Sequence, residues 1–292
     1  MHDIPRELLA RPFTSTMARD VGVSARQLQG SRCQRLFRDV YVGADITVTT
    51  ELLASGISLL LPPGTVVGGT AAALLHGADV RRRRDPVEVV ACRDSQIRRP
   101  GIRASAALLE PGDIVMIGGV PVTSPVRTAF DLARKRDVIE AVVGVDAMLN
   151  RGGCRLEELA AYIAGHRGWR GVRWADRATF FAEPKAESPM ESRQRMRFVL
   201  AGLPRPKAQV ELYTESGIFV ARLDHGYLEW KVGPEYDGEP HEGRWRADNE
   251  RQERIRAMGW WHRRYTSLSI GNGWIQMVDE VAAALLAAGW RP

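Results

Sequence analysis

Between residues 46 and 165, helix and strand signals alternate, and that alternation confines the chain to a mixed α/β architecture. Apolar spacing predicts helices over Thr49–Leu61, Pro125–Leu132, Val138–Leu149 and Arg155–His166, the first stopped by Pro62 and Pro63. Gly68–Gly77, rich in small residues, reads as a helix capped by Thr70 and pressed closely on another element. Val87–Ala91 and Val115–Val122 read as strands. His76 precedes Gly77 at a helix end and reads as a C-terminal cap, because no second acid, base or nucleophile is spaced to join it.

A chain of 292 residues with 45% hydrophobic content has material for two or three cores. The expected division is a helix-turn-helix unit at 1–45, an α/β middle unit at 46–179 and a third unit at 180–292, where Pro184 and Pro189 frame a loop. The start, MHDIPRELLARPF, lacks the apolar core of a signal peptide, and the longest apolar run, Val281–Ala288, is far short of the roughly 20 residues that span a membrane. Cys33, Cys92 and Cys154 are widely spaced and odd in number, so neither a zinc site nor a disulfide framework is indicated. The expectation is a cytoplasmic protein with no membrane segment. Net charge is +6 and the pI about 9.5, which favours a polyanionic partner such as nucleic acid. Nearly all of the positive charge is arginine; there are four lysines, at 135, 185, 207 and 231. The run Arg81–Arg84 reads either as a solvated loop or as a phosphate contact.

The first 45 residues carry a helix-turn-helix pattern. Ile4–Ala10 predicts a short helix, Thr14 or Ser15 caps a second over Thr16–Val21, and Ser24 caps a third over Ala25–Gln29. Ala18, Gly22, Val23 and Leu28 have the spacing in which a small residue sits at the helix crossing, a glycine makes the turn and two apolar residues hold the next helix. RCQRLFRDVYVGA then supplies a strand-forming wing. Arg26, Arg32, Arg35 and Arg38 lie in this stretch with no acidic residue between Ser24 and Arg38, and a recognition helix and wing would offer them to a phosphate backbone.

The last third concentrates carboxylates. A helix is expected over Met190–Ala201, with Glu191 in its first turn and Met190, Phe198, Val199 and Leu200 as core residues. Strands follow at Ala208–Tyr213, Ile218–Asp224 and Trp230–Tyr236, the first two joined by a tight turn at Thr214–Gly217. On the third strand, period two sets Lys231, Gly233, Glu235 and Asp237 on one side. Glu235 and Asp237 beside Asp224 would repel, and a divalent cation is the natural compensation; oxygen ligands suit magnesium or manganese, held by Asp224 and Glu235. The cation would lower the pKa of a bound water. Glu191 can reach it through a water, and His241 can move a proton. Then come a charged helix, Arg246–Met258, a strand, Trp260–Tyr265, that brings Arg263 and Arg264 near the groove, and an apolar helix, Val278–Ala288. Trp260, Trp261 and Trp274 read as core residues.

PFTSTMARDVGVSARQLQG followed by RLFRDVYVGA resembles the N-terminal winged helix of AbiEi-type antitoxins, which binds promoter DNA in that family. GGTAAALLHG and GGVPVTSPVRTAFDLAR resemble the segment that follows it, to which the family gives no catalytic role. ESPMESRQRMRFVLAGLP, ARLDHGYLEWKVGPEYDGEPH and ERIRAMGWWHRRYT resemble the domain related to very-short-patch-repair (Vsr-like) endonucleases, of the PD-(D/E)XK fold. That resemblance implies Asp224, Glu235, Glu191, Asp237 and His241 as the catalytic set.

The nuclease pattern is broken twice. The lysine expected two residues after Glu235 is Asp237, and Lys231 on the same face lies about 13 Å earlier at roughly 3.3 Å per residue. Pro234 removes a ladder donor from the strand. A literal Glu-x-Lys occurs at Glu229–Lys231 and is the alternative position for the acidic ligand. Three readings follow: a metal-dependent DNA endonuclease; an AbiEi-like antitoxin or repressor with a cognate toxin and a weak or inactive nuclease-like domain; or an interaction scaffold without DNA.

Overall fold

A computed structural model describes residues 4–82, 85–91, 97–237 and 245–292, the side chains of 245–248 excepted. Arg83, Arg84, Cys92 and His241, which figure in the expectations above, lie outside the described residues.

The chain opens with α1 (Arg6–Leu9), β1 (Phe13–Thr14), α2 (Ser15–Asp20), α3 (Ala25–Leu28), β2 (Cys33–Phe37) and β3 (Val40–Gly43). The caps are those the sequence implies: Thr14 accepts from Met17 N, and Ser24 forms a reciprocal capping box with Gln27. Ala18, Val23 and Leu28 are buried with Ile4 and Phe13 in one small core. Gly22, at φ +80°, makes the turn between α2 and α3. The strands form an antiparallel sheet in the order β1-β3-β2. Asp39 turns the β2–β3 hairpin at φ +69°, and its carboxylate accepts from Ser15 N.

The middle of the chain contains α4 (Thr50–Ser58), β4 (Val66–Val67), α5 (Gly69–Leu75), β5 (Val87–Ala91), β6 (Ile102–Ala106), β7 (Ile114–Ile117), β8 (Val120–Thr123), α6 (Pro125–Ala133), α7 (Val138–Asn150), α8 (Leu156–Gly165) and α9 (Val172–Phe180). Its mixed sheet runs β6-β5-β4-β8-β7. Two expectations need correction. The segment Val115–Val122 is a hairpin rather than one strand, because Gly118 and Gly119 adopt φ +54° and +77° and close a tight turn. Thr70 does not cap α5: Gly68 holds the cap position, and the Glu88 carboxylate accepts from both Thr70 N and Thr70 Oγ1. The sheet packs with Leu53, Ala54 and Ile57 of α4 and with Phe37 and Val40 from the N-terminal sheet, so the first two units share a core. His76 is the C-cap of α5, and its Nε2 bonds to Thr123 O at 2.7 Å.

The last part contains α10 (Pro189–Leu200), β9 (Lys207–Tyr213), β10 (Phe219–Gly226), β11 (Val232–Tyr236), α11 (Trp245–Ala257), β12 (Trp261–Tyr265), α12 (Ser267–Gly271) and α13 (Trp274–Ala287). β9 and β10 form an antiparallel hairpin, and β11 and β12 pair in parallel. Between the two pairs runs a seam that carries the bridge Tyr227–Val232; Pro234, with no N–H to give, sits in its middle. One apolar core gathers Phe198, Val232, Met277 and Val281; a second gathers Val210, Leu223, Ile255 and Trp260. The strands are therefore covered by α10 and α13 in one core and by α11 in the other.

α10 has two faces. Ser192, Arg195 and Met196 point into the middle unit, where Arg195 Nη2 meets Asp146 Oδ2 of α7 at 2.8 Å and Ser192 Oγ donates to the same oxygen at 2.6 Å. Glu191, Gln194 and Phe198 point toward β9–β11 and α13. Leu200, expected in the core, is exposed, because the spacing from Phe198 turns it outward.

Candidate functional site

The carboxylates of the last unit meet where β10 and β11 run between α10 and α11. Glu191 comes from the first turn of α10, where Ser188 caps the helix by accepting from Glu191 N. Its Oε2 accepts from Glu187 N at 3.0 Å and from Gln209 Nε2 at 2.9 Å. Gln209 lies on β9 at φ +52°, an uncommon conformation for a residue with a side chain, costing about 1 kcal/mol or more. Asp224 is on β10, and its Oδ2 accepts from Tyr236 N of β11 at 2.9 Å. Burial raises its pKa to about 7; the Glu191 and Glu235 charges add to the rise, while the Tyr236 N–H and Arg251 oppose it. Burial also raises the pKa of Glu191.

Glu235, buried on β11, is in the opposite state. Burial pushes its pKa up, but Arg251 of α11 and His262 of β12 outweigh it and hold the carboxyl at about 2. The guanidinium is bidentate: Nη2 donates to Oε1 at 2.6 Å and Nη1 to Oε2 at 2.9 Å. His262 Nε2 is 2.7 Å from Oε2. Arg251 Nη2 also donates to Arg222 O of β10 at 2.9 Å, so this side chain ties α11 to both sides of the seam. Beneath the cluster, fully buried His225 bonds through Nε2 to Glu191 O at 3.0 Å, and burial lowers its pKa to about 3, so the ring is neutral.

The other expected residues are placed as follows. Asp237 pairs with Arg264 Nη1 at 3.3 Å, while its N–H donates to Tyr265 O; the neighbours that act on Asp224 are Glu191, Glu235 and Arg251. Lys231 does not share the face of Glu235: it precedes β11 at φ +50°, is exposed, and donates to Met258 O. Glu229 is also exposed. Arg263 turns to Glu280 of α13 at 3.1 Å, away from the cluster, because alternate residues of β12 face opposite sides.

A divalent cation does not fit these donors as they stand. Both oxygens of Glu235 carry protein donors, and among the described residues no three His, Cys, Asp or Glu side chains converge to hold a metal ion. Sequence reasoning missed Gln209, Arg251 and His262. One signal existed for Arg251: it lies four residues before the buried Ile255, on the inward face of α11.

In the N-terminal unit, Arg26, Arg32, Arg35 and Arg38 are all exposed. Arg35 and Arg38 line an open groove of about 410 Å³ with Ala25, Leu28 and Gln29 at α3 and Tyr41 of β3. Arg32 lines a second groove, of about 550 Å³, with Arg6. Arg81, from the arginine run, stacks its guanidinium 4.7 Å from the Phe37 ring centroid and is mostly withdrawn from solvent.

Residues 65–181, from the residue before β4 to the residue after α9, match the family described as the AbiEi antitoxin C-terminal domain. Two uncharacterized proteins of Mycobacterium tuberculosis, from strains CDC 1551 and H37Rv, are each 31% identical to this chain over 147 residues. That stretch covers 49% of this chain and 54% of each relative, so about half the length of those relatives is matched. Among solved structures, the crystal structure of the RV2827C protein from Mycobacterium tuberculosis superposes over 70% of this chain and 84% of its own, with a TM-score of 0.32 and 12% identity. The AbiEi-like segment thus ends before the carboxylate cluster begins, and the N-terminal arginines precede it. No helix among the described residues is long and apolar enough to cross a membrane.

Proposed function

We propose that this protein is a DNA-binding antitoxin or repressor of the AbiEi type, acting with a cognate toxin protein, whose last unit is nuclease-like but not an efficient nuclease. The match of residues 65–181 to the AbiEi antitoxin C-terminal domain carries the reading. Two features support the DNA role: the packing of Ala18, Val23 and Leu28 expected of a helix-turn-helix, and the groove in which Arg35 and Arg38 flank α3. In this reading residues 1–45 act as a winged helix, β2 and β3 being the wing. α3 has four residues and is about 6 Å long at 1.5 Å per residue, so it offers few side chains to base edges. Phosphate contacts then carry most of the affinity.

The test is binding of the full chain to its own promoter DNA across a salt series. Wild type is expected to bind with a steep salt dependence. Arg35→Ala/Arg38→Ala is expected to lower the log–log slope by about two, close to one for each phosphate that the variant no longer neutralises. Wild type that binds no DNA at low salt would leave the scaffold reading standing.

The nuclease reading comes second. Its support is the placement of Asp224 beside Glu191 and Glu235, with Asp237 and the undescribed His241 following on the chain. It predicts plasmid cleavage with magnesium or manganese that Asp224→Ala abolishes; equal cleavage by both proteins removes its support.

A further inference from the structure

We propose that Arg251 is a built-in counter-charge that stands, at Glu235, where a divalent cation would otherwise be bound, with His262 as a further hydrogen-bond partner of the same carboxylate. A metal ligand must present a free lone pair, and the most favourable approach to a carboxylate is along the edge between its oxygens. That edge is filled by the Arg251 fork, at 2.6 and 2.9 Å, and His262 adds a third bond at 2.7 Å. Magnesium and manganese prefer near-octahedral oxygen shells and would meet a fixed positive charge instead.

The neighbouring carboxylates are held less completely, each through one oxygen. Glu191 Oε2 takes Glu187 N and Gln209 Nε2, and Asp224 Oδ2 takes Tyr236 N. The difference lies at Glu235, the one acid of the three with protein donors on both oxygens. The arrangement also has a mechanical reason. β10 and β11 need a tie across the seam where Pro234 gives no N–H, and Arg251 supplies one by holding Arg222 O on β10 and Glu235 on β11 with a single guanidinium. Arg251 is therefore a positioning residue that closes the seam and neutralises Glu235 in one move.

The experiment is titration of the full chain with manganese alone, free Mn²⁺ being read by electron paramagnetic resonance. The proteins compared are wild type, Asp224→Asn, Arg251→Gln and Arg251→Gln/Asp224→Asn. Wild type is expected to show no site that Asp224→Asn removes. Arg251→Gln is expected to gain one site at least about tenfold tighter than any in wild type, lost again in the double variant. A wild-type site that disappears with Asp224→Asn overturns the proposal. So does an Arg251→Gln protein that melts near wild type and gains no manganese. If Arg251→Gln does not fold, the wild-type and Asp224→Asn titrations decide alone, by the presence or absence of a site that depends on Asp224. DNA binding is not read in this experiment, so its result leaves the antitoxin reading to its own test.

Discussion

Asp146 and Glu235 are both buried carboxylates held by an arginine, but the surroundings of the two arginines differ. Arg195 and Asp146 are sealed, with side chains 0% and 1% exposed, and Asp146 also accepts from Ser192 Oγ and Glu183 N. Arg251 keeps 27% of its side chain in contact with solvent while Glu235 keeps 6%. The first pair has no route to water, so losing one partner strands the other in a low-dielectric interior. In the second pair the arginine lies at the rim and can turn outward. The first pair is a weld between the middle and last units, and the second is a latch inside the last unit.

The largest expected effect comes from breaking the weld. Arg195→Met should cost about 3–5 kcal/mol in denaturant unfolding, because Asp146 would be left as an uncompensated buried charge. A loss under about 1 kcal/mol would show that water reaches Asp146 and that the two pairs are alike. Next, Glu235→Gln should cost about 1–3 kcal/mol, since Arg251 can rehydrate while His262 loses its charged partner. A cost equal to that of Arg195→Met would remove the distinction.

The third test uses pH. The folded pKa of Asp224, about 7, lies above its ordinary value, so between roughly pH 4 and 7 the folded state binds more protons than the unfolded state. This group therefore lowers stability as pH rises through that window. Asp224→Asn should flatten the fall in melting temperature from pH 5 to 8. Glu235 has the reverse sign: its contribution is full above its ordinary pKa and is lost only as pH falls toward about 2. An unchanged pH profile in Asp224→Asn would show that Asp224 is ionised and solvated. The smallest effect belongs to Asp237→Asn, whose partly exposed pair with Arg264 should be worth about 1 kcal/mol or less in the same unfolding assay.

What could be read from the sequence was local. Thr14 and Ser24 announce helix starts because each side chain bonds a backbone N–H three residues ahead. The turn at Thr214–Gly217 was legible for the same reason, with Gly217 at φ +80°. Reading by pattern fails where several conformations suit one string: Val115–Val122 reads as a strand on either side of a glycine pair that reverses it. β6, Ile102–Ala106, and α9, Val172–Phe180, were not anticipated; β6 is a five-residue strand whose small Ala104 and Ala106 give little apolar contrast with Arg103 and Ser105, and α9 starts after Gly171 with no side-chain cap. For the carboxylate cluster, the acids on adjacent strands were visible from strand order. Their partners were not, because Arg251 and His262 lie 16 and 27 residues beyond Glu235 and reach it only through the packing of α11 and β12. That is why the sequence suggested a metal beside Glu235 and gave no sign of the guanidinium and imidazole that meet its carboxylate.

The two-faced helix α10 has a consequence for how this chain can be divided and recombined. A fragment ending near residue 181, where the AbiEi-like match stops, would keep Asp146 but lose Arg195, Ser192 and Met196 from its interior. A transplanted last unit that began after α10 would lose Glu191, Gln194 and Phe198. The smallest exchangeable cassette on the first side thus runs to residue 200, and on the second it starts at residue 189. The two overlap by one helix, so inheritance of either part carries a piece of the other.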